Sequence, residues 1–140
     1  MKKVVHIHTD GGARGNPGPA ALGVYITDEL GVLLQEFGRY LGIATNNQAE
    51  YQALIAALEA AKKFEPELVH CYLDSELVVK QMKREYRVKH VDLQPLFLKA
   101  WNAAASFKKI SFTHVPRARN KEADRLVNAA LDAAQDAVDK

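Results

Sequence analysis

Four carboxylates stand where this 140-residue sequence could do chemistry. Asp10 ends the alternating run Val4–Asp10, and Asp74 ends the apolar run Leu68–Asp74. Glu50 and Asp124 fall in the opening turns of two helical patterns. Carboxylates gathered at one place repel one another: two like charges ~4 Å apart cost on the order of 4 kcal/mol at an effective dielectric near 20. Such a group persists at neutral pH by holding protons or cations. Oxygen donors without Cys or paired His suit hard ions, Mg²⁺ first, with Mn²⁺ able to substitute. Two such ions ~3.5–4 Å apart can activate a water and stabilise a leaving oxygen in phosphodiester cleavage. Each acid taken singly also has a structural explanation. Asn47-Gln48-Ala49-Glu50 fits a capping box in which Glu50 answers the Asn47 backbone. Asp124 suits a helix N-terminus, Ser75 can cap a helix after Asp74, and Asp10 can open a turn. Four separate explanations would then have to converge on one sheet edge.

The elements that must position these acids are readable from periodicity. In Val4–Asp10, Val5 and Ile7 share one face, and His6, His8 and Asp10 the other. Gly11–Pro19 reads as a Gly/Pro loop. Ala21–Thr27 and Val32–Tyr40 read as a hairpin about Asp28-Glu29-Leu30-Gly31. Tyr51, Leu54, Ile55 and Leu58 recur with helical spacing, predicting an amphipathic helix to about Lys63. Leu68–Asp74 reads as a strand buried on both faces. A second helix carries Val78, Met82 and Tyr86 along one side. A third opens near Asp92, with Pro95 tolerated in its first turn, and turns Leu96, Phe97, Ala100 and Trp101 inward. Ile110–Val115 is a last strand, and a last helix buries Ala123, Leu126, Val127, Ala130, Leu131 and Ala134. The order βββαβααβα predicts an α/β fold with a five-stranded mixed sheet flanked by helices. If the first and fourth strands are parallel neighbours, Asp10 and Asp74 emerge side by side at the carboxyl edge, where open α/β sheets bind ligands.

Composition bounds the rest. Hydrophobic residues are 48% and charged residues 26%, the proportions of a folded globular chain. With no linker or repeat, residues 1–140 read as one domain. No window reaches the ~18 apolar residues of a membrane span, so no membrane partner is expected. The lone Cys71 excludes an internal disulfide, reads as a packing residue, and points to a reducing, cytoplasmic setting. The formal charge is only +2, but it is polarised: the first seventy residues are net acidic and the last seventy net basic. A localised basic face is therefore compatible with the near-neutral total.

The runs IHTDGGARGNPGPAALGVYI, ATNNQAEYQALIAAL, CYLDSELVVKQM and HVPRARNKEADRLVNAAL, in that order and spacing, resemble a type 1 ribonuclease H over nearly the whole chain. The resemblance implies a ribonuclease H-like fold and an Asp-Glu-Asp-Asp tetrad of Asp10, Glu50, Asp74 and Asp124 as catalytic metal ligands. It implies endonucleolytic hydrolysis of the RNA strand of an RNA–DNA hybrid with two Mg²⁺ ions, leaving 3′-hydroxyl and 5′-phosphate ends. It also implies substrate contacts by Gly11, Gly12, Arg14 and Asn16 in the Gly-rich loop, by Asn46, Asn47 and Gln48 before the first helix, and by Ser75. Reading 2′-hydroxyls is how a protein tells RNA from DNA. The expected partner is the hybrid, with other RNA-containing duplexes open, and the expected state is monomeric.

Two places depart from the family pattern. Many members carry a mobile histidine between the last strand and the fourth acid. A gapless count places it at His114, which reads as a strand end, whereas a shortened loop places Arg117 there. Arg117 is favoured, and an arginine would stabilise phosphate charge without shuttling protons. Bacterial members often insert a basic handle helix, which is missing here, so this is a compact form. Lys80, Lys83, Arg84 and Arg87 at helical spacing form a candidate remnant, expected to give weaker and more salt-sensitive hybrid binding. Three other readings stand beside this one, among them a different nuclease of the same fold acting on other duplexes. His6-x-His8 with Asp10 could hold Zn²⁺, although such sites usually sit on ~250-residue barrels. A catalytically weak or non-catalytic nucleic-acid-binding module of the same fold is another, and a cluster of acids that repels phosphate argues against it.

Overall fold

The computed structural model describes residues 3–139. The strands are β1 (Val4–Ala13), β2 (Gly18–Asp28), β3 (Leu33–Ala44), β4 (Leu68–Leu73) and β5 (Lys109–His114). The helices are α1 (Asn46–Ala61), α2 (Glu76–Met82), α3 (Gln94–Ala105) and α4 (Lys121–Asp139), with single 3₁₀ turns at Lys62–Phe64 and Arg117–Arg119. The sheet order is β3-β2-β1-β4-β5. β1 pairs antiparallel with β2 and parallel with β4, and β4 pairs parallel with β5. The expected mixed sheet and element order are therefore present, with β1 at its centre.

Alternation along β1 divides the molecule into two layers. Val5 and Ile7, in register with Ile26 of β2 and with Val69 and Cys71 of β4, face the main core beneath α1 and α3. Leu54, Ile55, Leu58 and Phe97 complete that core. The opposite face takes α4, which buries Val127 and Leu131 against Ala21. Gly23 of β2 and Gly38 of β3 are cross-strand neighbours and lie directly beneath this helix. A Cβ on Gly23 would collide with the Ala123 carbonyl, and one on Gly38 with the Leu126 carbonyl. The two glycines form a trench that lets α4 sit against the sheet backbone.

Several local expectations are corrected. The Gly/Pro loop is shorter than expected, because β1 runs on to Ala13 and β2 begins at Gly18. β4 is buried fully on one face only. Val69, Cys71 and Leu73 are inside, while His70 and Tyr72 are half-buried because α4 covers β1, β2 and β3 rather than β4. α2 stops at Met82, and Arg84 takes a left-handed conformation at φ 64°. Tyr86 and the Lys80-Lys83-Arg84-Arg87 stripe therefore do not continue one helix. Buried Gln81 holds this exit: it accepts from the Tyr51 hydroxyl and donates to the Arg87 carbonyl at 3.2 Å. Burial pushes the Tyr51 phenol up. α3 begins near the expected place and buries Phe97 and Ala100, but Trp101 is 42% exposed rather than core.

Because the glycine trench seats α4, Gly23→Ala and Gly38→Ala should each lower stability by about 1–3 kcal/mol through overpacking. Denaturant unfolding tests this, and an unchanged midpoint in both variants would contradict the close approach.

Candidate active site

The parallel pairing of β1 with β4 sets the site's floor. Thr9 and Leu73 are the last partners in register, so Asp10 and Asp74 leave adjacent strands together. Glu50 reaches them from α1, whose N-terminus crosses β1 at closest range over Gly11. A Cβ on Gly11 would collide with the backbone of Ala49 and Glu50. The Gly11 N–H donates to Glu50 Oε1. Carboxylate oxygens of Asp10, Glu50 and Asp74 all lie within 4.8 Å of one another.

The capping-box explanation for Glu50 fails. The cap of α1 is Thr45, whose hydroxyl accepts from the Gln48 N–H at 3.1 Å while Gln48 Oε1 accepts from the Thr45 N–H at 2.9 Å. Glu50 lies past the first turn and is buried, and its Oε2 has no hydrogen-bond partner among the described residues. Ser75, in contrast, does cap a helix, accepting from the Val78 N–H at 3.2 Å.

Electrostatics records the strain of this arrangement. Burial, then the charges of Asp74 and Asp124, push the Asp10 carboxyl up to about 7. The contact with the Glu50 carboxyl and the Arg117 charge oppose that shift. Burial and the Asp10 charge hold the Glu50 carboxyl well above the usual range. A buried all-oxygen cluster with an orphaned acceptor and carboxyls that resist ionising fits a hard divalent cation. Among the described residues no histidine joins a group of three such donors, so the His6-x-His8 zinc reading is not supported. His6 Nδ1 instead meets the Tyr72 hydroxyl at 2.9 Å, and its ring stacks on His70.

Asp124 lines the same cleft, of about 610 Å³, but stands outside the three-acid set. It pairs with Arg117 at 3.3 Å, and the carboxylates around Arg117, Asp124 first, raise its pKa. His114 is the last residue of β5, as its reading as a strand end implies, and is exposed at the cleft. The structure thus brings both candidates for the loop position to the site.

The other expected contacts divide. Gly12, Asn47 and Ser75 line the cleft. So do Asn46 and Arg14, each tied into the protein: Asn46 Oδ1 accepts from the Ala13 N–H at 2.8 Å, and Arg14 pairs with Asp132 at 2.7 Å. Asn16 accepts from the Asn46 N–H at 3.0 Å and borders a separate hollow with Asn47 and His90. Lys83 and Arg84 are not brought to the cleft. Lys83 edges an apolar groove, and Arg84 lies over the rings of Phe97 and Trp101 at 5.2 and 5.8 Å. Residues missed in the sequence are Thr45, which caps α1, Asn128, which lines the cleft, and Asn120, whose amide donates to the Thr9 carbonyl beside Asp10. Thr45-Asn46-Asn47-Gln48 fits the capping-box pattern as well as the frame chosen, and an Asn directly before the last helical run is itself a cap signal.

Known proteins share this chain's sequence pattern and fold. Residues 8–130 match a family model described as reverse transcriptase-like. Ribonuclease HI of Halobacterium salinarum is 47% identical over 128 residues, covering 91% of this chain and 64% of that protein. The solved N-terminal RNase H domain of Rv2228c from Mycobacterium tuberculosis superposes with a TM-score of 0.93 at 44% identity, over 98% of this chain and 99% of that one. The structure of LC11-RNase H1 in complex with an RNA/DNA hybrid gives 0.90 at 46% identity, over 94% and 99%. The chain spans 36% to 64% of the length of the first curated relatives it matches.

A carboxyl with a raised folded-state pKa stabilises the fold fully below its unfolded value, and that stability is lost as pH rises through the folded value. For Asp10 the window runs from 3.8 to about 7. In EDTA, stability should therefore fall from pH 5 to pH 8, and Asp10→Asn should restore about 1–3 kcal/mol at pH 8. Thermal unfolding with and without Mg²⁺ checks this. No gain at pH 8 would refute the strained cluster.

Proposed function

The chain belongs to the type 1 ribonuclease H family, and on that premise we propose that it hydrolyses the RNA strand of RNA–DNA hybrids. The observation that carries the reading is the buried Asp10–Glu50–Asp74 cluster, with its orphaned Glu50 oxygen, on the floor of an open cleft. Asp10, Glu50 and Asp74, joined by Asp124, would hold two Mg²⁺ ions, and Mn²⁺ would substitute. Such ions supply an activated water and charge stabilisation at the scissile phosphate.

The protein's own groups do the rest. The Gly11 N–H fixes one Glu50 oxygen, so the carboxylate presents the other to the site. The amide oxygens of Asn16 and Asn46 are engaged within the protein, which leaves their NH₂ groups as the donors available to ribose hydroxyls. Arg117 brings a fixed positive charge to the rim, suited to phosphate oxygens. His114 brings an imidazole to the same rim, a group that can both donate and accept hydrogen bonds where a guanidinium only donates. In this reading cleavage is endonucleolytic and leaves 3′-hydroxyl and 5′-phosphate ends. The domain acts as a monomer in a reducing, cytoplasmic compartment, in keeping with one free, buried cysteine.

The test is cleavage of end-labelled RNA–DNA hybrid, double-stranded RNA, double-stranded DNA and single strands, each with Mg²⁺, Mn²⁺ or EDTA. Hybrid RNA should be cut, cutting should cease in EDTA, and Asp74→Asn should lower kcat by at least about 10³-fold. Intact hybrid under every metal condition, with binding retained, would refute hydrolysis in favour of a binding module.

A further inference from the structure

Asn120 lies between the Arg117–Arg119 turn and α4 and is 1% exposed, although Arg119 and Lys121 on either side are exposed. Its Nδ2 donates to the Thr9 carbonyl at 2.8 Å, across 111 positions of sequence. That carbonyl belongs to the peptide leading into Asp10. The Asn120 N–H donates to the Arg117 carbonyl at 2.9 Å, and the Asn120 carbonyl accepts from the Asp124 N–H at 3.1 Å. One residue is thus bonded to the peptide before Asp10 and to the backbones of Arg117 and Asp124, the charged pair that the α4 layer brings to the cleft.

Other contacts of α4 fix the helix less well along its axis. The Gly23 and Gly38 trench sets how close it approaches the sheet. The Arg125–Glu36 pair at 2.6 Å is largely exposed, and such pairs hold geometry weakly. Stability alone does not account for an amide at position 120. Its Oδ1 is buried without a partner among the described residues, a cost that an apolar side chain would avoid. The donor to Thr9 is what an apolar side chain could not supply.

We propose that Asn120 is a positioning residue that holds Asp124, and Arg117 with it, at the Asp10 end of β1; this rests on the ribonuclease H reading above. Asn120 does not itself reach the acidic cluster. It acts by fixing the register between the two layers from which the four acids come, where a displacement of ~1 Å costs on the order of 10²-fold in rate.

The experiment compares Asn120→Asp, which keeps the size but removes the donor, with Asn120→Ala and with Asn120→Gln, which keeps the amide. Leu58→Ala, a core truncation in α1 remote from the site, serves as the control for lost stability. Each protein is assayed for kcat and KM on hybrid, for Mn²⁺ affinity by calorimetry without substrate, and for Tm. Asn120→Asp and Asn120→Ala should lose about 10²-fold in kcat with KM within about twofold. Their Mn²⁺ Kd should rise severalfold, and Asn120→Gln should recover part of both. Leu58→Ala should lower Tm with kcat, KM and Kd unchanged. Folded Asn120 variants that lose only Tm would overturn the proposal, as would a set that fails to fold altogether, which would assign Asn120 to the fold alone. Wild-type protein that leaves hybrid intact would remove the ribonuclease reading, and the Mn²⁺ arm would then decide the positioning role by itself.

Discussion

Bringing carboxylates together out of water is the constraint on which the rest of the structure depends. Asp10 and Glu50 are both buried beside Asp74, where charge repulsion and lost hydration act in the same direction. Nothing in the packing of the core requires this. The fold tolerates it by making the surroundings rigid. Asp10 extends from the central strand, Asp74 follows the strand paired with it, and Glu50 is held on a helix pressed onto Gly11. Local conflict at a site inside an otherwise consistent fold is the usual signature of function held at the expense of stability.

The fourth acid is held differently, and the difference follows from the two-layer architecture. Three acids belong to elements around the main core, whereas Asp124 comes from α4 on the other side of the sheet. Its position depends on how that layer is seated: two glycines beneath the helix, and the tie from Asn120 to Thr9. Asp124 accordingly stands apart from the three-acid set and shares its charge with the exposed Arg117. A site assembled from two layers can be adjusted by shifting one against the other, as a site built on one element cannot.

Which parts of this were legible in the sequence follows the same division. Alternation and helical spacing show which residues share a face, so the strands, the mixed sheet and the convergence of Asp10 with Asp74 were readable. They do not show what lies over a face. β4 looked doubly buried because Leu68–Leu73 is mostly apolar, but α4 covers the other end of the sheet and leaves His70 and Tyr72 half-exposed. Trp101 looked internal because it follows Phe97 and Ala100 at helical spacing, yet it lies at the sheet margin beside Ile110 and Phe112. The basic stripe required a helix through Arg87, and the left-handed turn at Arg84 is anchored by Gln81, which also accepts from the distant Tyr51 hydroxyl, a contact invisible to periodicity. The cap of α1 was a choice between two overlapping frames, which the reciprocal Thr45–Gln48 hydrogen bonds decide.

The near-neutral formal charge also takes a different meaning in three dimensions. A count of ionisable side chains assigns the acidic cluster its full negative charge, which would repel any phosphate backbone approaching the cleft. Burial and the neighbouring charges push the Asp10 carboxyl up to about 7 and hold the Glu50 carboxyl well above its usual range, so both resist ionising. Arg117 offsets Asp124. The site is therefore less negative than its sequence implies even without cations, and cations entering it would displace protons as well as screen charge. The basic half of the chain does not have to outweigh four full charges for a polyanion to approach. Arg84 illustrates the consequence: its guanidinium is spent on the Phe97 and Trp101 rings, away from the cleft, where a fold carrying an uncompensated tetrad would need every cation it had.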